Sequence, residues 1–255
     1  MKNKSCSVFG LGYIGLPTAT LISMNGYKVF GIEVNQKIIR KLQKGKIHIK
    51  EPGLEKIFNE SLTKKYIEIR TNPIISDVFV ITVPTPFKPN KDKLPTPDLS
   101  FVFSAVTSIC KVLKEKDLII LESTSPVGTT KKIEKLIRKL TGFNNKQINL
   151  AYCPERVIPG NTIKELIYND RVVGGLTKEA TIMATEFYAS FCKGEILQTN
   201  SDTAELVKLS ENAYRDVNIA FANELSIIAD KAKINIREVI KLSNRHPRVN
   251  ILQPG

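Results

Sequence analysis

One stretch constrains this chain more than any other. It runs Ser5-Cys6-Ser7-Val8-Phe9-Gly10-Leu11-Gly12-Tyr13-Ile14-Gly15 and continues to Glu33. A short apolar run (Val8, Phe9) delivers a Gly-x-Gly-x-x-Gly turn, and an apolar-periodic segment follows (Ile14, Leu16, Ala19, Leu21, Ile22). A second β-rich run, Lys28-Val29-Phe30-Gly31-Ile32, ends in the acidic Glu33. Strand, glycine turn, helix, strand and acid in that order form the complete dinucleotide fingerprint. Gly10 allows the tight turn, Gly12 lets backbone approach a pyrophosphate, and Gly15 lets the helix pack close to its strand. The helix N-terminus then faces the anion. Glu33 stands about 20 residues on, where a carboxylate accepts ribose hydroxyls. No arginine follows it directly, which favours NAD over NADP.

The bulk composition narrows the class. A chain of 255 residues with 42% hydrophobic and 25% charged residues buries a sizeable core. No apolar run approaches the roughly 20 residues of a membrane helix, and Met1-Lys2-Asn3-Lys4 leads into a strand rather than a signal peptide. Cys6, Cys110, Cys153 and Cys192 are widely spaced, as expected of reduced thiols in a cytoplasmic protein. With only His48 and His246 available, no metal site is expected. The net charge of +13 suits an anionic partner, but the lysines are scattered rather than clustered with aromatics. A phosphorylated small molecule fits this better than nucleic acid.

Strands and helices alternate along the first 199 residues. Asn35 to Lys44 reads as a helix capped by Asn35, Gly53 to Lys65 as a helix, and Tyr66 to Arg70 as a strand. Val78-Phe79-Val80-Ile81-Thr82-Val83 reads as a strand buried on both faces, running into Pro84-Thr85-Pro86 and a Pro- and Lys-rich loop to Asp98. A helix (Leu99 to Leu113), a strand (Leu118 to Leu121), the turn from Glu122 to Gly128 and a helix (Thr129 to Leu140) follow. Next come a strand from Ile148 to Tyr152 ending in Cys153-Pro154-Glu155-Arg156, a strand from Arg171 to Gly175, and a helix from Lys178 to Phe191. This order predicts an α/β fold, a Rossmann-type doubly wound parallel sheet over residues 1–199.

Past Thr199 the alternation stops, and residues 200–255 read as a helical domain. Asp202 with Glu205 predicts a helix start, and no Gly or Pro interrupts until about Lys231. Leu206, Leu209, Ala213, Val217, Ala220, Glu224 and Ile228 share one face. Lys208, Asn212 and Arg215 lie opposite, in an arc that continues to Ile219 and Ala222, so that face is expected to be covered. A second helix, Ile236 to Leu242, leads into Asn244-Arg245-His246-Pro247-Arg248.

GLGYIGLP, VPTP, ESTSPVG, YCPERVIPG, the Lys208/Asn212 pair and ENAYRDVNIAFANE together resemble the nucleotide-sugar 6-dehydrogenases that oxidise UDP-glucose and GDP-mannose. Pro159 stands where the glucose-specific branch has a second glutamate. VPTPFK, NDRVVGG and NRHPRVNILQPG also point to the 2-acetamido branch. The resemblance implies a UDP-N-acetylhexosamine substrate, with UDP-N-acetyl-D-mannosamine ahead of UDP-N-acetylglucosamine. It also implies two NAD per sugar C6, passing through a thiohemiacetal and a thioester, in the making of a surface-polysaccharide precursor. It assigns Lys208 as acid/base and Asn212 to the oxyanion or an ordered water, with Glu155 and Thr124 activating the hydrolytic water. Gly10, Gly12, Tyr13, Ile14, Gly15, Glu33, Thr85 and Thr124 would line NAD. Arg156, Val157, Lys208, Asn212, Arg215, His246 and Arg248 would hold the UDP-sugar. The long helix would pair two copies.

The family's nucleophile lies in a Gly-Gly-His-Cys segment just after the run matching Gln253-Pro254-Gly255, where this sequence stops. The expectation is therefore an N-terminal portion, inactive alone, without the nucleophile or the UDP-binding domain. Cys153 is read as a packed thiol, and Cys6, Cys110 and Cys192 as core thiols in strand or helix interiors. A competing reading is a non-catalytic NAD-binding and dimerising module.

Overall fold

The computed structural model describes residues 4–89, 94–144 and 146–255. Positions 1–3 of the amino-terminal run, 90–93 of the Pro- and Lys-rich loop, and 145 lie outside the described residues. In chain order the elements are β1 (Ser5–Phe9), α1 (Gly15–Met24), β2 (Lys28–Ile32), α2 (Gln36–Gln43), α3 (Leu54–Thr63), β3 (Ile67–Arg70), β4 (Val78–Ile81), β5 (Phe87–Lys88) and β6 (Thr96–Pro97). They continue with α4 (Ser100–Ile109), β7 (Leu118–Leu121), α5 (Thr129–Thr141), β8 (Asn149–Tyr152), α6 (Thr162–Tyr168), β9 (Arg171–Gly175), α7 (Lys178–Ala189), β10 (Ile196–Asn200), α8 (Ser201–Lys231) and α9 (Ile236–Ser243).

The large sheet runs β10-β9-β8-β7-β4-β1-β2-β3. From β3 to β8 every pairing is parallel, with the strand order reversing beside β1. That is the doubly wound arrangement expected from the alternation. One junction departs from it: β9 pairs antiparallel with β8, and β10 then runs parallel to β9. Residues 153–170 hold only the seven-residue α6, so the chain makes no full crossover and β9 starts from the end at which β8 stops. The sequence reading also passes over α6, β10 and the β5/β6 hairpin. β10 is the polar, largely exposed ILQTN, so it carries no apolar alternation to reveal it.

β4 and β7 are apolar along their whole length because both their faces are covered. Leu16, Ile22, Leu54 and Phe58 pack one side of the sheet without exposure. Each contributes about 1.5–3 kcal/mol by leaving water. Asn35 caps α2 as predicted, accepting from the amides of Lys37 and Ile38. At α8 the cap is Asn200, which accepts from Thr203 N at 2.9 Å, rather than Asp202. Asp202 instead pairs with Lys131.

The chain divides into two compact units, Met1–Leu206 and Val207–Gly255. The first holds the sheet. In the second, the rest of α8 and α9 are followed by a terminal segment folded back by asparagine side chains. Asn244 brackets Ile251 through both its amide oxygen (2.8 Å) and its amide nitrogen (2.9 Å), and Gly255 N donates to Asn223 Oδ1 at 2.9 Å.

Candidate functional site

The glycine turn connects β1 to α1 at the point where the strand order reverses. Gly10 takes φ +86°, which L side chains rarely adopt, and a Cβ there would press on the backbone of Thr82 and Val83 at 3.1 Å. A Cβ on Gly15 would collide with Gly10 O and with the Thr82 hydroxyl, so this helix can sit against its strand only with glycine. Thr82 Oγ1 in turn donates to the carbonyls of Phe9 (2.8 Å) and Gly10 (2.7 Å), pinning the turn to the end of β4. Gly12 differs: nothing lies within 4 Å of its Cβ position, so that side of the backbone is open to a ligand. Ile14 at the head of α1 offers no side-chain cap, which leaves the helix N-terminus to an anion. Tyr13 is half-exposed beside it.

Glu33 directly follows β2 and turns its carboxylate toward the glycine loop. Oε2 accepts from Leu11 N at 3.1 Å, and Oε1 from Val34 N and Asn35 N at 2.9 Å each. A carboxylate has about four acceptor positions, so three bonds fix its orientation and leave capacity for a ribose hydroxyl. The longer glutamate arm is thereby held against the loop. The open Gly12, the uncapped α1 and the oriented Glu33 fit the pyrophosphate and adenosine ribose of a dinucleotide.

Beside this loop, at the carboxyl ends of β4 and β7, lies a cleft of about 170 Å³ lined by Ile14, residues 82–85, Glu122, Ser123, Thr124 and Glu155. The fold thus brings together Ile14, Thr85, Thr124 and Glu155, four residues singled out from sequence. Thr85 Oγ1 donates to Thr124 O at 2.8 Å and Ser123 Oγ to Val83 O at 2.7 Å, tying the two walls together. Glu155 Oε2 accepts from Val157 N at 2.9 Å, which sets the carboxylate at the start of its own turn. Arg156 and Val157 follow on the same segment, outside the lining of the cleft. Arg156 Nη1 donates to Asp170 O at 3.1 Å, and Val157 packs against the core.

Sequence reasoning missed the buried group that runs from Glu122 in the cleft wall into the core. Glu122 is buried, accepts from the Tyr188 hydroxyl at 2.6 Å and lies 3.9 Å from the buried Arg171 guanidinium. Burial pushes its carboxyl above the usual range, against the pull of Arg171 and the tyrosine hydrogen bond. Arg171 stacks 4.5 Å from the Tyr188 ring centroid and reaches Cys153 Sγ at 3.9 Å. Cys153 is fully buried, and desolvation raises its thiol to about 11, as befits a packed thiol rather than a nucleophile. Cys6 and Cys192 are also buried and Cys110 is half-buried, but Cys110 and Cys192 stand just beyond the ends of α4 and α7 rather than in helix interiors.

In the second unit, Lys208 is buried on α8, while Asn212 and Arg215 are exposed in this chain. Among the described residues, the expected cover over this arc therefore reaches Lys208, Ala222 and the half-buried Ile219 but not Asn212 and Arg215. Tyr214, Val217, Phe221 and Ile228 are each more than half exposed. They form one stripe about 60° wide at 3.6 residues per turn. His246 and Arg248 stand exposed on the turn after α9, where Arg248 N donates to His246 Nδ1 at 3.3 Å.

Comparison with known proteins matches these features to one family. The model of the UDP-glucose/GDP-mannose dehydrogenase family, NAD binding domain, matches residues 4–192, and that of its central domain residues 202–255. A UDP-N-acetyl-D-mannosamine dehydrogenase of Campylobacter jejuni is 49% identical over 99% of this chain and 63% of its own length. An NDP-N-acetyl-D-galactosaminuronic acid dehydrogenase of Ralstonia nicotianae is 46% identical over 99% and 60%. The solved UDP-D-ManNAc dehydrogenase of Pyrococcus horikoshii superposes with a TM-score of 0.93 at 42% identity, over 98% of this chain and 60% of that one. The chain spans about three fifths of the length of these relatives. The glycine turn, the oriented Glu33 and the two family matches together place this chain in the UDP-glucose/GDP-mannose dehydrogenase family.

Proposed function

We propose that the chain carries the cofactor-binding and central parts of an NAD-dependent nucleotide-sugar 6-dehydrogenase that converts UDP-N-acetyl-D-mannosamine to its uronate. The observation that carries this reading is the cleft holding Ile14, Thr85, Thr124 and Glu155 next to a loop shaped for a dinucleotide pyrophosphate. NAD bound there supplies the acceptor for a hydride from the sugar C6. Glu33 would hold the adenosine ribose, and Ile14, Thr85 and Thr124 of the cleft would take the nicotinamide half. Thr124 and Glu155 hold a water at that wall. Lys208 takes the C6 hydroxyl proton and Asn212 donates to the developing oxyanion. Arg156, Val157, Arg215, His246 and Arg248 hold the UDP-sugar through forked and ring N–H donors and an apolar wall.

Residues 1–199 would serve the cofactor. Residues 200–255 would pair two copies through the exposed stripe of α8, a contiguous apolar surface unusual on a lone chain. Four free cysteines support a reducing cytoplasm, and a polysaccharide precursor is the expected product. The Ralstonia relative favours a second reading, in which a different 2-acetamido sugar is oxidised.

Calorimetric titration with NAD, paired with an NADH-absorbance assay on UDP-N-acetylmannosamine and UDP-N-acetylglucosamine, tests the proposal. NAD binding that weakens about 10- to 100-fold in Glu33→Ala supports the cofactor site. NADH formed from one sugar fixes the substrate, while binding without turnover leaves the chain a cofactor-binding module. A chain that binds no NAD refutes the reading.

A further inference from the structure

The wall of the cleft that carries Glu155 belongs to no strand or helix: residues 153–161 run irregularly from β8 to α6. Such a segment keeps one shape only if its amides find fixed acceptors. Three carboxylates supply them. Glu155 takes Val157 N, and Glu165 takes Ile158 N at 2.8 Å, both within ten residues of their donors. The third is Glu51, from the connection between α2 and α3, more than a hundred residues away in sequence. It is buried, and it accepts from Gly160 N (2.9 Å), Thr162 N (2.7 Å) and Thr162 Oγ1 (2.8 Å). Asn161, at the N-cap of α6, makes no side-chain cap bond of its own, so Glu51 takes over that role from across the fold. Gly160 adopts φ +92° to present its amide.

We propose that Glu51 is a positioning residue: it clamps the 155–162 segment and so fixes the Glu155 wall of the cleft against the nicotinamide end of the cofactor. The effect on cofactor rests on the placement of nicotinamide proposed above, whereas the clamp itself does not. Glu51 touches neither the glycine loop nor Glu33 in any bond described, so its loss spares the adenosine half. A residue with a merely structural role would weaken both halves alike.

The test uses this chain with Glu51→Gln, Glu51→Asp and the milder Thr162→Val. Affinities for NADH and for ADP-ribose, which lacks nicotinamide, are measured by calorimetry, and amide hydrogen exchange is followed at Gly160 and Thr162. We expect Glu51→Gln to speed exchange at these two amides about tenfold or more and to weaken NADH about tenfold. ADP-ribose affinity should stay within about twofold. Glu51→Asp, which keeps the carboxylate, should recover part of the NADH loss, and Thr162→Val should show a smaller effect in the same direction. Equal losses for NADH and ADP-ribose would overturn the positioning role, as would unchanged exchange at Gly160 and Thr162. A parent chain whose NADH fluorescence is unchanged on binding would refute the placement of nicotinamide, and the exchange rates would still decide the clamp.

Discussion

Glu205 offers the sharpest test of how the first unit is held together. It has no exposed surface and lies near the start of α8, just past its first turn. Its two oxygens accept from Gly128 N (2.6 Å), Thr130 N (2.8 Å) and Thr130 Oγ1 (2.6 Å), at the start of α5, where Gly128 cannot supply a cap. Hydrogen bonds to a charged group are worth about 1.5–3 kcal/mol each, partly offset by the cost of desolvating the carboxylate. Glu205→Ala strands two amides and a hydroxyl. The hydroxyl can rotate elsewhere, and each orphaned amide costs about 1–3 kcal/mol. The sum for the two amides is about 2–6 kcal/mol. For a unit of this size, 1 kcal/mol moves Tm by about 2–4 °C, so Glu205→Ala should lower Tm by about 4–24 °C. Glu205→Gln keeps one acceptor oxygen and should lose roughly half as much. Thermal and urea unfolding followed by circular dichroism, with unchanged m-values, reads both variants. A Glu205→Ala protein within about 1 kcal/mol of the parent would refute the claim that this carboxylate docks α8 onto α5.

The two glycines should separate stability from binding. Gly12→Ala meets no protein atom, so its Tm should match the parent within about 2 °C while NAD affinity falls tenfold or more, whereas Gly15→Ala should lose stability outright. Differential scanning fluorimetry with and without NAD distinguishes them, and the reverse pattern would sink the assignment. Cys153 should shape the alkaline limb of stability. Its folded thiol titrates at about 11 against 9.0 for the free group, so its contribution is complete below pH 9 and lost as pH rises through 11. Cys153→Ala should flatten the fall in Tm between pH 9 and 11, and the parent thiol should resist iodoacetamide at pH 8 until the chain unfolds. Finally, Val217→Asp, in the middle of the exposed α8 stripe, should shift the chain toward monomer in light scattering and leave Tm within about 2 °C. A parent that stays monomeric at high concentration would count against pairing through this helix.

Much of the cofactor half was legible in the chain itself, because its determinants are local. A glycine with φ +86°, a glycine whose Cβ position is already filled, and an acid at the end of the next strand all fall within about thirty residues. The apolar runs of β4 and β7 likewise announce strands buried on both faces. Local signals failed where an element is short or wet: β10 and the β5/β6 hairpin have no apolar period to read, and α6, with Ile163, Leu166 and Ile167 on one face, is only seven residues long. The direction of β9 was hidden too, since a run such as Arg171–Gly175 is the same string whether it pairs parallel or antiparallel.

What only the tertiary structure decided is the set of partners for buried charge. Glu122 reads as the start of a turn, Glu205 as a helix-start acid, and Glu51 carries no local signal, yet each finds its donors in segments 66 to 111 residues distant. The sequence by itself determined where the chain must turn, extend and coil, because backbone sterics and hydrophobic period act over a few residues. Which carboxylate meets which amide depends on strand order, and strand order exists only once the sheet has assembled.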